Sequence, residues 1–307
     1  MTKSIELVTK YLPLLDEVYK VNAKSSILEA PSALVQQTAD AKVVKINKLT
    51  MDGLGDYSRA DGYPKGSIIS SWETHEFSND RGRKFNLDKM DNLENLGMVF
   101  LNMAGEFMRT KVIPEKDAYT FAKIAGTSGI SGTTGNLSNS TTKAAIETAI
   151  VTLGEAEVDE ESLVLFITPT VKGNLEHELT RSFPVGQTAY GQKIEYFNDI
   201  PMITVPQTRF YNGIDLLDGT TSGETAGGYK KHVAQSGVSG DANAKNLNFI
   251  LMDKNAALSI AKNNVAQIFA PEVNQFYDGW TFNYRFYYDV FVLDNKKAGI
   301  YAHVANS

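Results

Sequence analysis

The 307-residue chain contains no cysteine, which excludes disulfide staples, thiol nucleophiles, iron–sulfur clusters and cysteine-ligated structural zinc. Long apolar runs are missing as well. The longest uninterrupted aliphatic or aromatic stretch is Leu163–Ile167, far short of the roughly 20 residues that a membrane-crossing helix needs. The opening Met1-Thr2-Lys3-Ser4-Ile5-Glu6 has neither the continuous apolar segment nor the small-residue cleavage site of a secretory signal. A chain that stays in the cytoplasm where it is made, away from membranes, is therefore expected. Positive charge is not in excess: 30 Lys and Arg stand against 36 Asp and Glu, for a net charge of -6. That balance argues against a tight grip on nucleic acid through phosphate neutralisation.

The common catalytic signatures are absent too. His75-Glu76 and His177-Glu178 begin like a zinc-protease motif, but Asn79 and Arg181 stand where the second histidine would fall one helical turn later. The four histidines, His75, His177, His232 and His303, lie far apart, and isolated histidines read as surface or interface residues before they read as ligands. There is no phosphate-cradling Gly-x-x-x-x-Gly-Lys-Ser/Thr, no strand-anchored dinucleotide fingerprint and no Gly-x-Ser-x-Gly turn. No catalytic, cofactor-binding or metal-binding residue is expected, and no enzymatic activity. Glu155, Glu157, Asp159, Glu160 and Glu161 read as a solvated turn. Gly126, Gly129, Gly132 and Gly135 read as a flexible Gly/Ser/Thr loop, since the proline of a triple helix is missing.

What is present is a large supply of core material. Apolar residues make up 42% of the chain, with 15 Phe, 14 Tyr and 2 Trp, enough for one large domain or two intimately connected ones. Ile5, Val8, Leu12, Leu15 and Tyr19 place one apolar stripe on a helix that Pro13 kinks. A β-prone run at Lys42–Leu49 is followed by a glycine-rich loop, then by Ile68–Phe77 and Arg83–Asp88; two or three such strands make an extended β-arm. An arm of this kind has little core of its own and needs a surface to lie against. Asp91 and Glu94 open a long helix carrying Leu93, Leu96, Phe100, Met103 and Phe107 on one side; Pro114 ends it and starts a second helix that stops at Gly126.

The middle of the chain alternates a helix at Thr142–Leu153, a buried strand at Leu163–Ile167, a helix opened by Thr168-Pro169, and strands at Lys193–Phe197 and Met202–Val205. Tyr211–Lys245 reads as a long glycine-rich surface loop. A strand at Leu247–Met252 and a helix over Asp253–Asn263 follow. The strongest strand signal comes last: Trp280, Phe282, Tyr284, Phe286, Tyr288, Val290 and Val292 alternate with polar residues before a closing strand at Ala298–Val304.

Several segments resemble the major capsid proteins of tailed bacteriophages with the Hong Kong 97-like shell fold. They are Trp72-Glu73-Thr74, Asp80-Arg81-Gly82-Arg83-Lys84-Phe85 through Met90-Asp91, the run from Val112 to Ile124, Ile200 to Pro206, and Tyr287 to Leu293. The resemblance spans nearly the whole chain; its specificity lies in order and spacing, not in any strict motif. It implies an α+β fold with an N-terminal arm (1–41), an extended β-arm (42–90), a peripheral domain with a long spine helix (91–140), an axial domain (141–246) and a return into peripheral strands (247–307).

The function it implies is structural: hexamers and pentamers of this chain build an icosahedral virion shell around double-stranded DNA, assembled in the host bacterial cytoplasm. Trp72, Phe77, Arg81, Arg83 and Phe85 are the expected subunit-interface anchors. Barely 40 residues precede the first strand of the β-arm, so a separate scaffolding protein is expected in place of a cleaved segment, with a portal and a decoration protein as further partners. The same fold makes encapsulin compartments, which enclose protein cargo instead of DNA; an unrelated soluble binding module is the remaining alternative.

Overall fold

In the computed structural model, which describes residues 23–29, 36–37, 43–60, 62–88, 98–180, 195–234, 242–272, 274 and 278–306, the chain first runs out and back. Gln36–Gln37 (β1), Val43–Met51 (β2) and Ile68–Glu76 (β3) form a small antiparallel sheet. β2 and β3 pair along their whole length, from Val43 opposite Glu76 to Met51 opposite Ile68. Asn79–Asp88 (β4) then leaves this arm and pairs instead with Gly279–Val292 (β13), so the third strand considered for the arm belongs to the body. The apolar stripe expected at Ile5–Tyr19 lies outside the described residues, as does the start of the spine helix at Asp91–Gly97.

The helix expected to end at Pro114 continues through it. Met98–Phe107 (α1) and Ile113–Ala125 (α2) are joined by a π-helical turn at Met108–Val112. A proline inside a helix lacks an amide hydrogen and its ring crowds the carbonyl four residues back. The wider turn just before Pro114 lets the chain pass it without breaking. Termination comes at Gly126, whose amide bonds the Ala122 carbonyl at 2.8 Å. The glycine run beyond it is ordered, contrary to the expected flexible loop: Ser131–Thr134 (β5) pairs in parallel with Ile300–Val304 (β14). A Cβ at Gly132 would sit 2.3 Å from the Ala302 carbonyl oxygen, so this approach requires glycine.

Thr142–Glu155 (α3), Leu163–Ile167 (β6) and Pro169–Thr180 (α4) appear as expected, with Ile146, Ala149, Leu153, Val171 and Leu175 buried against β6. Tyr196–Phe197 (β7) and Ile200–Thr204 (β8) follow. The segment 211–245, expected as an unstructured loop, contains an antiparallel hairpin of Ile214–Leu217 (β9) and Gly228–Lys231 (β10). Its turn is made possible by Gly219, Gly223, Gly227 and Gly228, all at positive φ. Leu247–Asp253 (β11) is followed by a strand, Ala257–Phe269 (β12), where a helix was expected. Pairing of β12 with β13, from Ala257 opposite Val292 to Phe269 opposite Thr281, overrides the helix propensity of the Ala-rich run.

Two sheets result. One has six strands in the order β5-β14-β11-β6-β8-β7; the other has three, β12-β13-β4. α2 lies between them: Phe121 and Ile124 join Val290 of β13 and Ala257 of β12 to Phe166, Ile250 and Ala302 of the larger sheet in one apolar cluster. Met108, Ile113, Phe282, Tyr284, Phe286 and Tyr288 pack the smaller sheet against the helix. This mixed α and β architecture leaves the arm with little core beyond its base.

Candidate assembly surfaces

The arm has two unlike faces because strand side chains alternate. One face carries Val44 and Ile46, which pack at the base against Phe77, Leu258, Ile260 and Phe291 of the body. The opposite face carries Leu49 and Met51 on β2, with Ile68 and Trp72 on β3. These four are 55%, 63%, 72% and 49% exposed. Apolar side chains gathered on one sheet face and left in water are unusual in a subunit that works alone. At the tip, Asp52 holds the loop closed by accepting the Ser67 amide at 2.7 Å, and the rings of Tyr57 and Tyr63 meet at 5.0 Å.

The base of the arm is held by a buried carboxylate. Asp289 accepts hydrogen bonds from the Ser78 amide and hydroxyl, both at 2.8 Å, and from the Tyr119 hydroxyl at 2.8 Å. Burial, with the Asp289 charge beside it, pushes Tyr119 up to about 12. The turn between β3 and β4 is thereby pinned to β13 and α2. Phe77, just before it, packs at a tilt against Tyr287 and meets Phe291 edge-on.

A second buried polar cluster ties the segment at 23–29 to α2. Asp117, fully buried, accepts from the Lys24 and Ser25 amides, from the Ser25 hydroxyl at 2.7 Å and from Arg209 at 3.2 Å. Lys116, 1% exposed, reaches Glu29 at 2.6 Å. Burial pulls the Lys116 pKa below its ordinary value, and the Glu29 charge and hydrogen bond oppose that pull.

The expected interface anchors separate in the structure. Trp72 lies on the exposed arm face. Phe77 is buried in its own subunit, and Phe85 packs on Phe107 and Phe282. Arg81 pairs with Glu115 at 2.8 Å, and Arg83 donates to the Thr225 carbonyl at 3.0 Å. These four side chains are engaged by the chain's own body: Phe77 packs at the turn, and β4 is an edge strand paired with β13 and not part of the arm. Leu49, Met51 and Ile68 were not singled out in the sequence; their alternation in two facing β-prone runs is the signal that marks them. Asp117, Lys116 and Asp289 carry no local signal, since their partners are remote in sequence. Among the described residues no three His, Asp or Glu side chains gather as a metal site. No described helix is long and apolar enough to cross a membrane.

No protein-family model matches the chain, and no curated protein matches it. Solved structures do. The capsid of the cyanophage P-SCSP1u is 13% identical over 89% of this chain and 86% of its own, with a TM-score of 0.62. A Gordonia phage Cozz structure is 12% identical over 93% and 87%, with a TM-score of 0.57. The mature capsid of bacteriophage PhiM1 is 9% identical over 87% and 83%, with a TM-score of 0.54. At identities this low the likeness is one of fold: the chain has the fold of these phage capsid structures.

Proposed function

We propose that the chain is a major capsid protein whose hexamers and pentamers close into an icosahedral shell around double-stranded DNA. The observation that carries this reading is the coincidence of a capsid fold with an arm whose outward face, Leu49, Met51, Ile68 and Trp72, is apolar and uncovered. Covering a large apolar side chain fully gains about 1.5–3 kcal/mol. Four that are 49–72% exposed would gain about half of that or more each, at least about 3–6 kcal/mol per arm before the cost of ordering. One such contact is weak, and a closed shell multiplies it over every subunit. With a net charge of -6 the shell contains DNA without condensing it. Filling then depends on an external motor, and shell formation on a separate scaffolding protein, with portal and decoration proteins completing the particle.

Electron microscopy and sedimentation of the purified, concentrated chain test the reading. Closed shells, or free hexamers and pentamers, are expected. A chain that stays monomeric at every concentration, with and without crowding agents, would overturn it. Nuclease-protected DNA inside isolated particles supports the virion, whereas an enclosed protein cargo supports the compartment alternative.

A further inference from the structure

The hairpin of β9 and β10 is attached to the body in an uncommon way. None of its described residues belongs to the four clusters of buried apolar side chains. Ile214 and Leu216 do not fill space beneath the hairpin. Together with Tyr119, Ala122 and Lys123 of α2 they line an open cavity of about 450 Å³. At the far end the Tyr229 hydroxyl donates to the Thr208 carbonyl at 2.9 Å, and one guanidinium spans both strands. Arg81 of β4 donates to both carboxylate oxygens of Glu115, at 2.8 and 3.2 Å, to the Leu217 carbonyl at 2.8 Å and to the Gly228 carbonyl at 3.2 Å. Leu217 and Gly228 face each other as the last rung before the turn. Arg83, two residues along the same edge strand, adds its bond to Thr225 in the turn itself.

The near end is tied differently. Tyr211 and Asn246 form a bridge between the two stems, the Asn212 side chain accepts the Lys245 amide at 2.6 Å, and Lys231 reaches Asn246 at 2.9 Å. These bonds hold the stems to each other where they leave the larger sheet. The hairpin is thus closed on itself at its root and clipped to the smaller sheet at its far end, with a cavity between.

We propose that β9–β10 is a strap that lifts from α2 as a unit, and that the Arg81 fork, set by Glu115, keeps it shut. Its release opens the cavity along α2 and removes a cross-tie between the two sheets while leaving their shared apolar cluster in place. The inference concerns the single subunit and stands apart from the shell reading. A planar guanidinium has five N–H donors in a fixed fork, enough for the four bonds made here, whereas an ammonium has three and cannot grip the carboxylate bidentately while serving both carbonyls.

Hydrogen–deuterium exchange on the full chain tests the strap. Arg81→Met should speed exchange across residues 214–231 at least tenfold, with β6, β11 and β13 keeping their protection, and should raise glutamyl-endopeptidase cleavage at Glu224 by a similar factor. Arg81→Lys retains the charge without the fork and should stay loose. Unchanged exchange in 214–231, or full protection restored by lysine, overturns the role of the fork. A rise spread equally over β4 and β13 overturns the strap as a separate unit. If Arg81→Met does not fold, Arg83→Ala carries the test: faster cleavage at Glu224 with β13 unchanged supports the strap, and no change overturns it.

Discussion

Replacing Glu29 by Ala removes the charge that faces the deeply buried Lys116 ammonium. Deleting one partner of a buried ion pair costs about 3–5 kcal/mol. Two features lower the figure here. The Glu29 side chain is 33% exposed, so water reaches one side of the pair. Lys116 can also shed its proton: bringing an ordinary lysine to neutrality at pH 7 costs about 5 kcal/mol, which caps the loss, and part of that shift is present already because burial has lowered the pKa. A loss of about 2–3 kcal/mol is therefore expected, read as a shift in the urea midpoint at unchanged slope.

The pH dependence gives a second signature. The folded pKa of Lys116 lies below its unfolded value of 10.5, so between the two the unfolded chain binds more protons and stability rises with pH. Without Glu29 the folded pKa falls further. The window widens downward, and the deficit of the variant narrows as pH climbs towards the unfolded value. Adding Lys116→Met to Glu29→Ala removes the buried charge and should recover most of the loss. A single variant within 0.5 kcal/mol of the parent, or a double variant no better than the single, would refute the reasoning.

Trp72→Ala should leave a folded, soluble subunit, since the ring is half exposed, yet shift assembly to at least tenfold higher protein concentration by light scattering; particles of ordinary yield and stability would count against the arm contact. Gly132→Ala drives a methyl into the Ala302 carbonyl and should cost about 1–3 kcal/mol, with faster amide exchange confined to β5; an unchanged melt would contradict the close approach. Asp289→Asn puts an amide among four donors and should cost about 2–3 kcal/mol while loosening the amides around Ser78, as exchange measurements would show.

Strand and helix positions were legible where pattern and tertiary need agree. The alternation from Trp280 to Val292 buries Phe282, Tyr284, Phe286, Tyr288 and Val290 as its period requires, and α3, β6 and α4 follow their local signals. Misreadings fall where a partner remote in the chain decides. Ala257–Asn263 has good helix formers, but β13 offers an unpaired edge over its whole length, and the ladder outweighs a propensity difference of a few tenths of a kcal/mol per residue. Glycine at 132 read as flexibility because composition does not reveal that another backbone lies 2.3 Å from its missing Cβ. Pro114 read as a stop because a π turn has no sequence signature of its own.

The same distinction explains the interface residues. Trp72, Phe77, Arg81, Arg83 and Phe85 are neighbours in sequence, yet the chain turns at Ser78, where Asp289 pins it. Up to Glu76, residues belong to an arm with one face open; from Phe77, which packs into the body, the chain passes into an edge strand that pairs with β13 and whose Arg81 and Arg83 reach the β9–β10 strap. The boundary between arm and body is thus held by a hydrogen bond between residues 211 positions apart. The consequence can be measured. Trp72→Ala and Phe77→Ala remove similar aromatic surface from positions close in sequence, but the first should impair assembly with little change in the urea midpoint of the subunit. The second should destabilise the subunit by about 3–5 kcal/mol, because it empties a packed site against Tyr287 and Phe291. Equal effects of the two on subunit stability would mean that the arm does not begin where the Asp289 pin places it.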